Sequence, residues 1–378
     1  MKDPIWILEG ARTPFAAWSA GTRGDGQKGG ALKGLDPFDL AAISLKASLE
    51  KAGLAAGDLE LLVFGNMYHA GPHACYGGRY AAHRAGLPDG VPSVTCALAC
   101  GTGLYALKTA AESIALGQGR IVACAGADSP SLVRRDVFVP SFQDVSCGLH
   151  IAQTAQELAR EMGIGRDEQD GCAMESHRRA FAARGRGILA EEIAPAAGCS
   201  EDDAILADPR PEIFARSKPL IEDSQATAAN THAIVDGGSA LLLGCGKLET
   251  LARPPLGRYL GAAVVSLPAR KMPLGSVEAI RSLLGQTSLK LSDFDLFEIN
   301  ETFAAQLLVD LKLLGLSGER VNVNGGALAL GHPFAGTGAR LVLTLLRELG
   351  RRDLRRGIAS ICVGGGLGIA VAVESAKA

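Results

Sequence analysis

The chain has 378 residues, with 38 Lys and Arg against 40 Asp and Glu, and a formal net charge of −2. That balance leaves no basic excess to displace the counterions of a nucleic acid, and 47% hydrophobic with 21% charged residues excludes wholesale disorder. The length asks for two or three packed units rather than one small core.

In chain order, residues 1–6 hold no long apolar segment with a cleavage site, so no secretory signal is read there. Residues 5–8 form the first candidate strand. The glycine-rich stretch 21–34 reads as a surface loop, and 61–64 as a second strand. After Gly101-Thr102-Gly103, the residues Leu104, Leu107, Ala111 and Ile114 fall at helical spacing up to a stop at Gly117. A strand over 121–125 follows. Residues 153–162 and 168–183 read as helices. Residues 199–223 carry Pro209, Pro211 and Pro219 and read as irregular loop. Strands are expected at 240–243, 358–363 and 369–373, with a helix over 340–349 that stops at Gly350. This alternation predicts an α/β protein with largely parallel pairing. No run approaches the ~20 apolar residues of a membrane span.

The chain contains an internal duplication. Residues 58–64 resemble residues 293–299, and Gly101-Thr102-Gly103 recurs as Gly336-Thr337-Gly338; both pairs are displaced by 235 positions (58 to 293, 101 to 336). Each Gly-Thr-Gly opens a helix and is followed by an apolar run. The expectation is two related α/β halves with a loop-rich insertion of about a hundred residues, the size of a subdomain.

Four segments place a reactive side chain beside a turn. Cys100 sits where a turn enters a helix, where free N–H groups and the positive dipole end should favour a thiolate; the alternative is a packed thiol. His332 lies in a glycine-rich loop, with Pro333 restricting its backbone, and is a base able to take a thiol proton; the alternative is a structural loop histidine. Cys362 ends an apolar run at Gly364-Gly365-Gly366, where a second thiol can exchange protons. A phosphate-cradling loop is the alternative there, and the nucleotide fingerprints are absent. Asn300 reads as a helix N-cap or as an amide that orients a water or an oxyanion.

The chain has nine cysteines. Their odd number and wide scatter fit neither a disulfide framework nor a zinc site, and predict a reducing cytoplasm with most thiols buried.

Together the segments resemble the thiolase family, the acetyl-CoA acetyltransferases and 3-ketoacyl-CoA thiolases. The likeness runs from Ala11-Arg12-Thr13-Pro14 through Cys100-Gly101-Thr102-Gly103-Leu104 and Ala125-Gly126-Ala127-Asp128-Ser129. It continues in Asn300-Glu301-Thr302-Phe303-Ala304, where the family has N-E-A-F-A, in residues 324–340 around His332, and in Cys362-Val363-Gly364-Gly365-Gly366. The resemblance implies a thiolase-like α/β fold of two duplicated βαβαβαββ halves in five α-β-α-β-α layers. The N-terminal half would occupy 1–130 with 233–255, an inserted loop domain 131–232, and the C-terminal half 256–378. It implies Cys100 as the acylated nucleophile, His332 as its activating base and Cys362 as the acid/base at the substrate α-carbon. Asn300, through a water, would form one oxyanion hole with His332, and the backbone N–H groups of Cys100 and Gly364 the other.

The resemblance also implies acyl-CoA and coenzyme A as partners, with no metal or redox cofactor. His150, Arg210, His232, Thr302 and Phe303 take the positions of substrate- and CoA-contacting residues. His232 stands where the family has Ser near the pantetheine, which puts a bulkier ring in the acyl pocket. The stretch 131–150 is shorter than in the tetrameric biosynthetic enzymes, which predicts a homodimer, with a homotetramer as the alternative. A condensing enzyme with a different acyl donor, a non-catalytic acyl-CoA-binding relative and a Cys/His hydrolase are the competing readings.

Overall fold

The computed structural model describes residues 3–18, 30–69, 73–246 and 251–377. The expected loop at 21–34 lies outside the described residues as far as position 29, as do residues 1–2 and 247–250.

The first half begins with β1 (Trp6–Arg12), a short β2 (Ala16–Ala17) and α1 (Pro37–Ala52). The sequence sets both ends of α1. Asp36 accepts the Phe38 and Asp39 N–H groups ahead of Pro37, and Gly53 closes the helix in the left-handed region at φ 72°. Then come β3 (Leu61–Gly65), α2 (Gly77–Ala85), β4 (Ser93–Cys96), α3 (Thr102–Ala115) and β5 (Ile121–Asp128). The chain then leaves the sheet and returns as β8 (Val235–Gly244). The excursion contains α4 (Arg135–Phe138), the hairpin β6 (Gln143–Asp144) and β7 (Leu149–His150), α5 (Ile151–Met162), α6 (Arg166–Gly185) and α7 (Pro211–Ala215).

The second half is β9 (Gly257–Ser266), α8 (Gly275–Thr287), β10 (Leu296–Ile299), α9 (Ala304–Leu314), α10 (Ala327–Leu330), α11 (Thr337–Arg351), β11 (Arg356–Val363) and β12 (Leu367–Ser375). Here α11 passes through the expected stop at Gly350. The residue that takes the left-handed conformation is Asp353, at φ 52°.

The strands run β10-β11-β12-β9-β1-β8-β5-β3-β4, and the halves join where Trp6 and Ile7 of β1 pair with Arg258 and Gly257 of β9. The expectation of largely parallel pairing is corrected. Only β3–β4, β3–β5 and β10–β11 are parallel among the described strands, and the rest are antiparallel. The cause is local: three glycines turn β11 directly back into β12, and so short a link permits only antiparallel pairing.

Alternation along the strands sorts side chains into layers. Val63, Cys124, Leu241 and Leu243 of the first half, and Ile361, Val371 and Val373 of the second, face α3 and α11 in a shared central core. Leu62, Phe64, Ala123 and Leu242 face α1 and α2, while Ile358, Ala370 and Ala372 face α8 and α9. Two sheet halves thus enclose a central helical layer and carry outer helices, which makes five layers. The second half departs from the first at its third strand, which is reduced to a single bridge between Phe297 and Val321.

The duplication extends beyond the two motifs. Four element starts reappear 235 positions later: Ala56 to Leu291, β3 to β10 (61 to 296), α3 to α11 (102 to 337) and β5 to β11 (121 to 356). Segment 129–234 is tied to β1 by Arg12. Its buried guanidinium holds Asp202 at 2.7 and 2.8 Å and Glu192 at 3.2 Å.

Candidate active site

The Cys100 turn is built by its neighbours. After β4 the backbone reaches Ala99 at φ 40°, then winds a single 3-10 turn, Ala99–Gly101, into α3. The Thr102 hydroxyl fastens this turn at both ends: it accepts the Leu98 N–H at 2.7 Å and donates to the Ala99 carbonyl at 2.7 Å. The equivalent turn before α11, Phe334–Gly336, repeats the strain at Phe334, φ 39°. Two non-glycine residues 235 positions apart in this sparsely populated region mark a geometry that the surrounding structure imposes (99 to 334).

The four predicted segments converge on one cavity of about 440 Å³, walled in part by Cys100, Cys362, Gly364, Thr302 and His232. The Gly364 and Cys100 backbone N–H groups favour the ionised form of the Cys100 sulfur. Cys362 Sγ lies 3.3 Å from Thr302 Oγ1. His332 and Asn300 do not line this cavity; each stands behind a residue that does. The His332 ring packs on His232 and Phe334 at centroid distances of 5.0 and 5.1 Å. Its Nδ1 meets Thr337 Oγ1 at 2.5 Å, and its Nε2 is buried without a partner. Asn300 donates to Thr302 Oγ1 at 3.1 Å and leaves its Oδ1 unpartnered.

A second cavity of about 500 Å³ adjoins the first through Phe142, Ile151 and His232, and its walls include His150 and Phe303. His232 therefore stands at the junction. Its Nδ1 donates to the Thr302 carbonyl at 3.0 Å, since a carbonyl only accepts, which leaves Nε2 as a buried lone pair without a partner. Arg210 is not brought to either cavity. It precedes α7 with its guanidinium 67% exposed and paired with Asp208.

Burial overrides the helix-entry effect expected at Cys100. Desolvation pushes the thiol up to about 11, and the Gly364 and Cys100 N–H groups only partly oppose it. At neutral pH the Cys100 side chain is therefore a neutral thiol. His332 is held well below the ordinary imidazole range, first by burial and then by His232 and Arg340, so its ring is neutral at neutral pH. Burial likewise pushes the Cys362 thiol up, opposed by Thr302.

The expectation that most cysteines are buried is also corrected. All nine are free, but only Cys124 and Cys362 are fully buried. Two contributors had no assigned role in the sequence. The β6–β7 hairpin brings Phe142 to Ser146 over the cavity, and an Asp144-to-Gly148 turn signal marks its position. Asp128, fully buried, accepts N–H groups from Asn66, Tyr68 and Ala335 at 2.8, 3.0 and 2.9 Å, and so ties together the loops that carry Met67 and Phe334. Its placement depends on tertiary contacts alone.

Family models for the thiolase N-terminal domain match residues 5–135 and 128–245, and that for the thiolase C-terminal domain matches 253–375. An acetyl-CoA acetyltransferase of Chromobacterium violaceum is 36% identical over 380 residues, covering 92% of this chain and 96% of that protein. A 3-ketoacyl-CoA thiolase of Bacillus subtilis is 33% identical, covering 99% of this chain and all of that one. The crystal structure of human mitochondrial 3-ketoacyl-CoA thiolase in complex with CoA superposes with a TM-score of 0.92 at 30% identity, covering 99% of this chain and 98% of that chain. With both domain models matched, the fold shared and the four motif segments meeting at one cavity, the chain belongs to the thiolase family of acyltransferases.

Proposed function

We propose that this chain exchanges acyl groups between CoA thioesters, by thiolysis of a 3-ketoacyl-CoA with coenzyme A and, in reverse, by Claisen condensation of two acyl-CoA molecules. The observation that carries the reading is the meeting of Cys100 and Cys362, one from each half, in the wall of a single cavity. In thiolysis, His332 Nε2 takes the Cys100 proton and the thiolate attacks the 3-keto carbon. The bond between C2 and C3 breaks, and Cys362 returns a proton to the leaving acetyl-CoA enolate. The Cys362 thiolate then takes the proton of incoming CoA, whose sulfur releases the acyl group from Cys100. Two successive easy steps replace one difficult exchange. The Gly364 and Cys100 N–H groups, which favour negative charge at the Cys100 sulfur, serve the thioester oxyanion, and His332 with a water held by Asn300 serves the second oxyanion.

The pantetheine arm enters through the cavity bordered by His150 and Phe303, with His232 at its inner end. No metal or redox group takes part. The chain works as a homodimer in the cytoplasm. The unpaired outer edge of β4, where Val94 is 47% exposed, supports pairing with a second copy, and nine free thiols suit a reducing compartment. No helix among the described residues is long and apolar enough to cross a membrane.

The test mixes purified protein with acetoacetyl-CoA and CoA and follows acetyl-CoA formation. Cys100→Ala is expected to lose at least about a thousandfold in kcat, the scale of a removed nucleophile. Absence of CoA-dependent cleavage by the wild type, with acetoacetyl-CoA and with longer 3-ketoacyl-CoAs, would reject the reading.

A further inference from the structure

Thr302 lies between buried Asn300 and buried Cys362, where the family motif carries Ala. Its hydroxyl is 3.3 Å from Cys362 Sγ and 3.1 Å from Asn300 Nδ2. An amide nitrogen only donates, so Asn300 occupies an acceptor lone pair of Thr302 Oγ1 and leaves the hydroxyl hydrogen unspent. A neutral thiol can donate or accept, but a thiolate only accepts. Once Cys362 is ionised, one arrangement keeps both hydrogen bonds: Asn300 Nδ2 donates to Thr302, and Thr302 donates to sulfur. The Thr302 backbone is fixed as well, because its N–H donates to Gln306 Oε1 at 3.0 Å and Gln306 is anchored on Asp310 at 2.5 Å.

We propose that Thr302 is a positioning residue that holds Cys362 through a hydroxyl donor and stabilises it as the thiolate. The assignment rests on the reading of Cys362 as the α-carbon base. That step breaks the substrate C–H bond, forms the S–H bond and leaves the electron pair on the enolate oxygen. A hydrogen-bonded thiolate is more abundant at neutral pH and points in a fixed direction. The ionisable groups facing Cys362 are Cys100 from the first half and Asp310 on α9, with His232 on the same cavity wall. Burial holds Asp310 well above the carboxylate range, and its charge opposes the thiolate, so Thr302 is the side chain here that favours it.

The experiment measures the pH dependence of Cys362 carbamidomethylation by iodoacetamide, followed by peptide mass spectrometry, in a Cys100→Ala background. Thr302→Ala is compared with Thr302→Ser. The expected result is a midpoint raised by about one pH unit in Thr302→Ala, which is about tenfold less thiolate at a fixed lower pH, with the midpoint restored in Thr302→Ser. An unchanged midpoint in a folded Thr302→Ala protein overturns the proposal, and so does a Thr302→Ser protein that behaves like Thr302→Ala. The readout needs no turnover, so it stands apart from the thiolysis assay. A failed thiolysis assay beside a shifted midpoint would reject the function and keep the Thr302–Cys362 hydrogen bond.

Discussion

Gly103 in α3 and Gly338 in α11, at equivalent positions of the two halves, meet backbone to backbone at the centre of the molecule. A Cβ on Gly338 would lie 2.1 Å from the Leu104 nitrogen, and one on Gly103 would lie 2.4 Å from the Ala335 carbonyl oxygen. The repeated Gly-Thr-Gly is therefore the contact about which the halves pack. It also sets Cys100 close to the loop that bears His332. Neither contact can be relieved by rotating a side chain, because the atoms met belong to backbone.

The first prediction follows directly. Gly338→Ala should separate the central helices and destabilise the protein by at least about 3 kcal/mol, the upper end of ordinary overpacking. Urea unfolding followed by far-UV circular dichroism measures it. A change below about 1 kcal/mol would show that the central layer yields more easily than its backbone contacts imply.

The second concerns pH. Burial pushes the Asp128 carboxyl up to about 7 against an ordinary 3.8, although three backbone N–H groups favour its ionised form. Between those values the folded chain binds more protons at this site than the unfolded chain does. Stability therefore falls as pH rises from about 4 to 7, by about 4 kcal/mol as an order of magnitude, and stays lowered above that. Asp128→Asn should be less stable throughout, because an amide cannot accept every bond the carboxylate accepts. The difference between the two proteins should nevertheless narrow as pH rises. Urea midpoints at pH 5 and pH 8 decide it; a constant difference would mean that Asp128 does not titrate in this window.

Arg12 gives a third. With its side chain fully buried between Asp202 and Glu192, Arg12→Met leaves two carboxylates in the interior without their cation. Breaking a buried pair from one side costs about 3–5 kcal/mol. The loss should be local first, with limited proteolysis cutting near 190–205 before the sheet unfolds. Cleavage at the wild-type rate would show that other contacts hold this segment to β1.

The duplicated α/β halves were legible because strands and helices carry their own periodicities and the two Gly-Thr-Gly motifs sit at one offset. The chain positions of Cys100, His332, Cys362 and Asn300 were legible for a related reason: each lies at or beside the end of an element, the first three close to glycine or proline and Asn300 directly after the apolar run of β10. Strand direction was not. Parallel and antiparallel strands share an alternation of side chains, and only the glycine link between β11 and β12, seen in place, fixes the choice. Arg210 shows the limit of carrying a role across by position, since exposure and the Asp208 partner are properties of the folded loop and not of the residue type.

The sequence by itself determined which side chains are available for chemistry and where along the chain they fall, because turn, cap and helix signals act over a few neighbouring residues. Tertiary structure alone decided what those groups are. It made Cys100 a neutral thiol rather than the thiolate its helix entry suggested, placed His332 behind the cavity wall, and joined Thr302 to Cys362 across 60 positions of chain. Desolvation and hydrogen-bond partners come from distant segments brought together by packing, and no local pattern of residues encodes them.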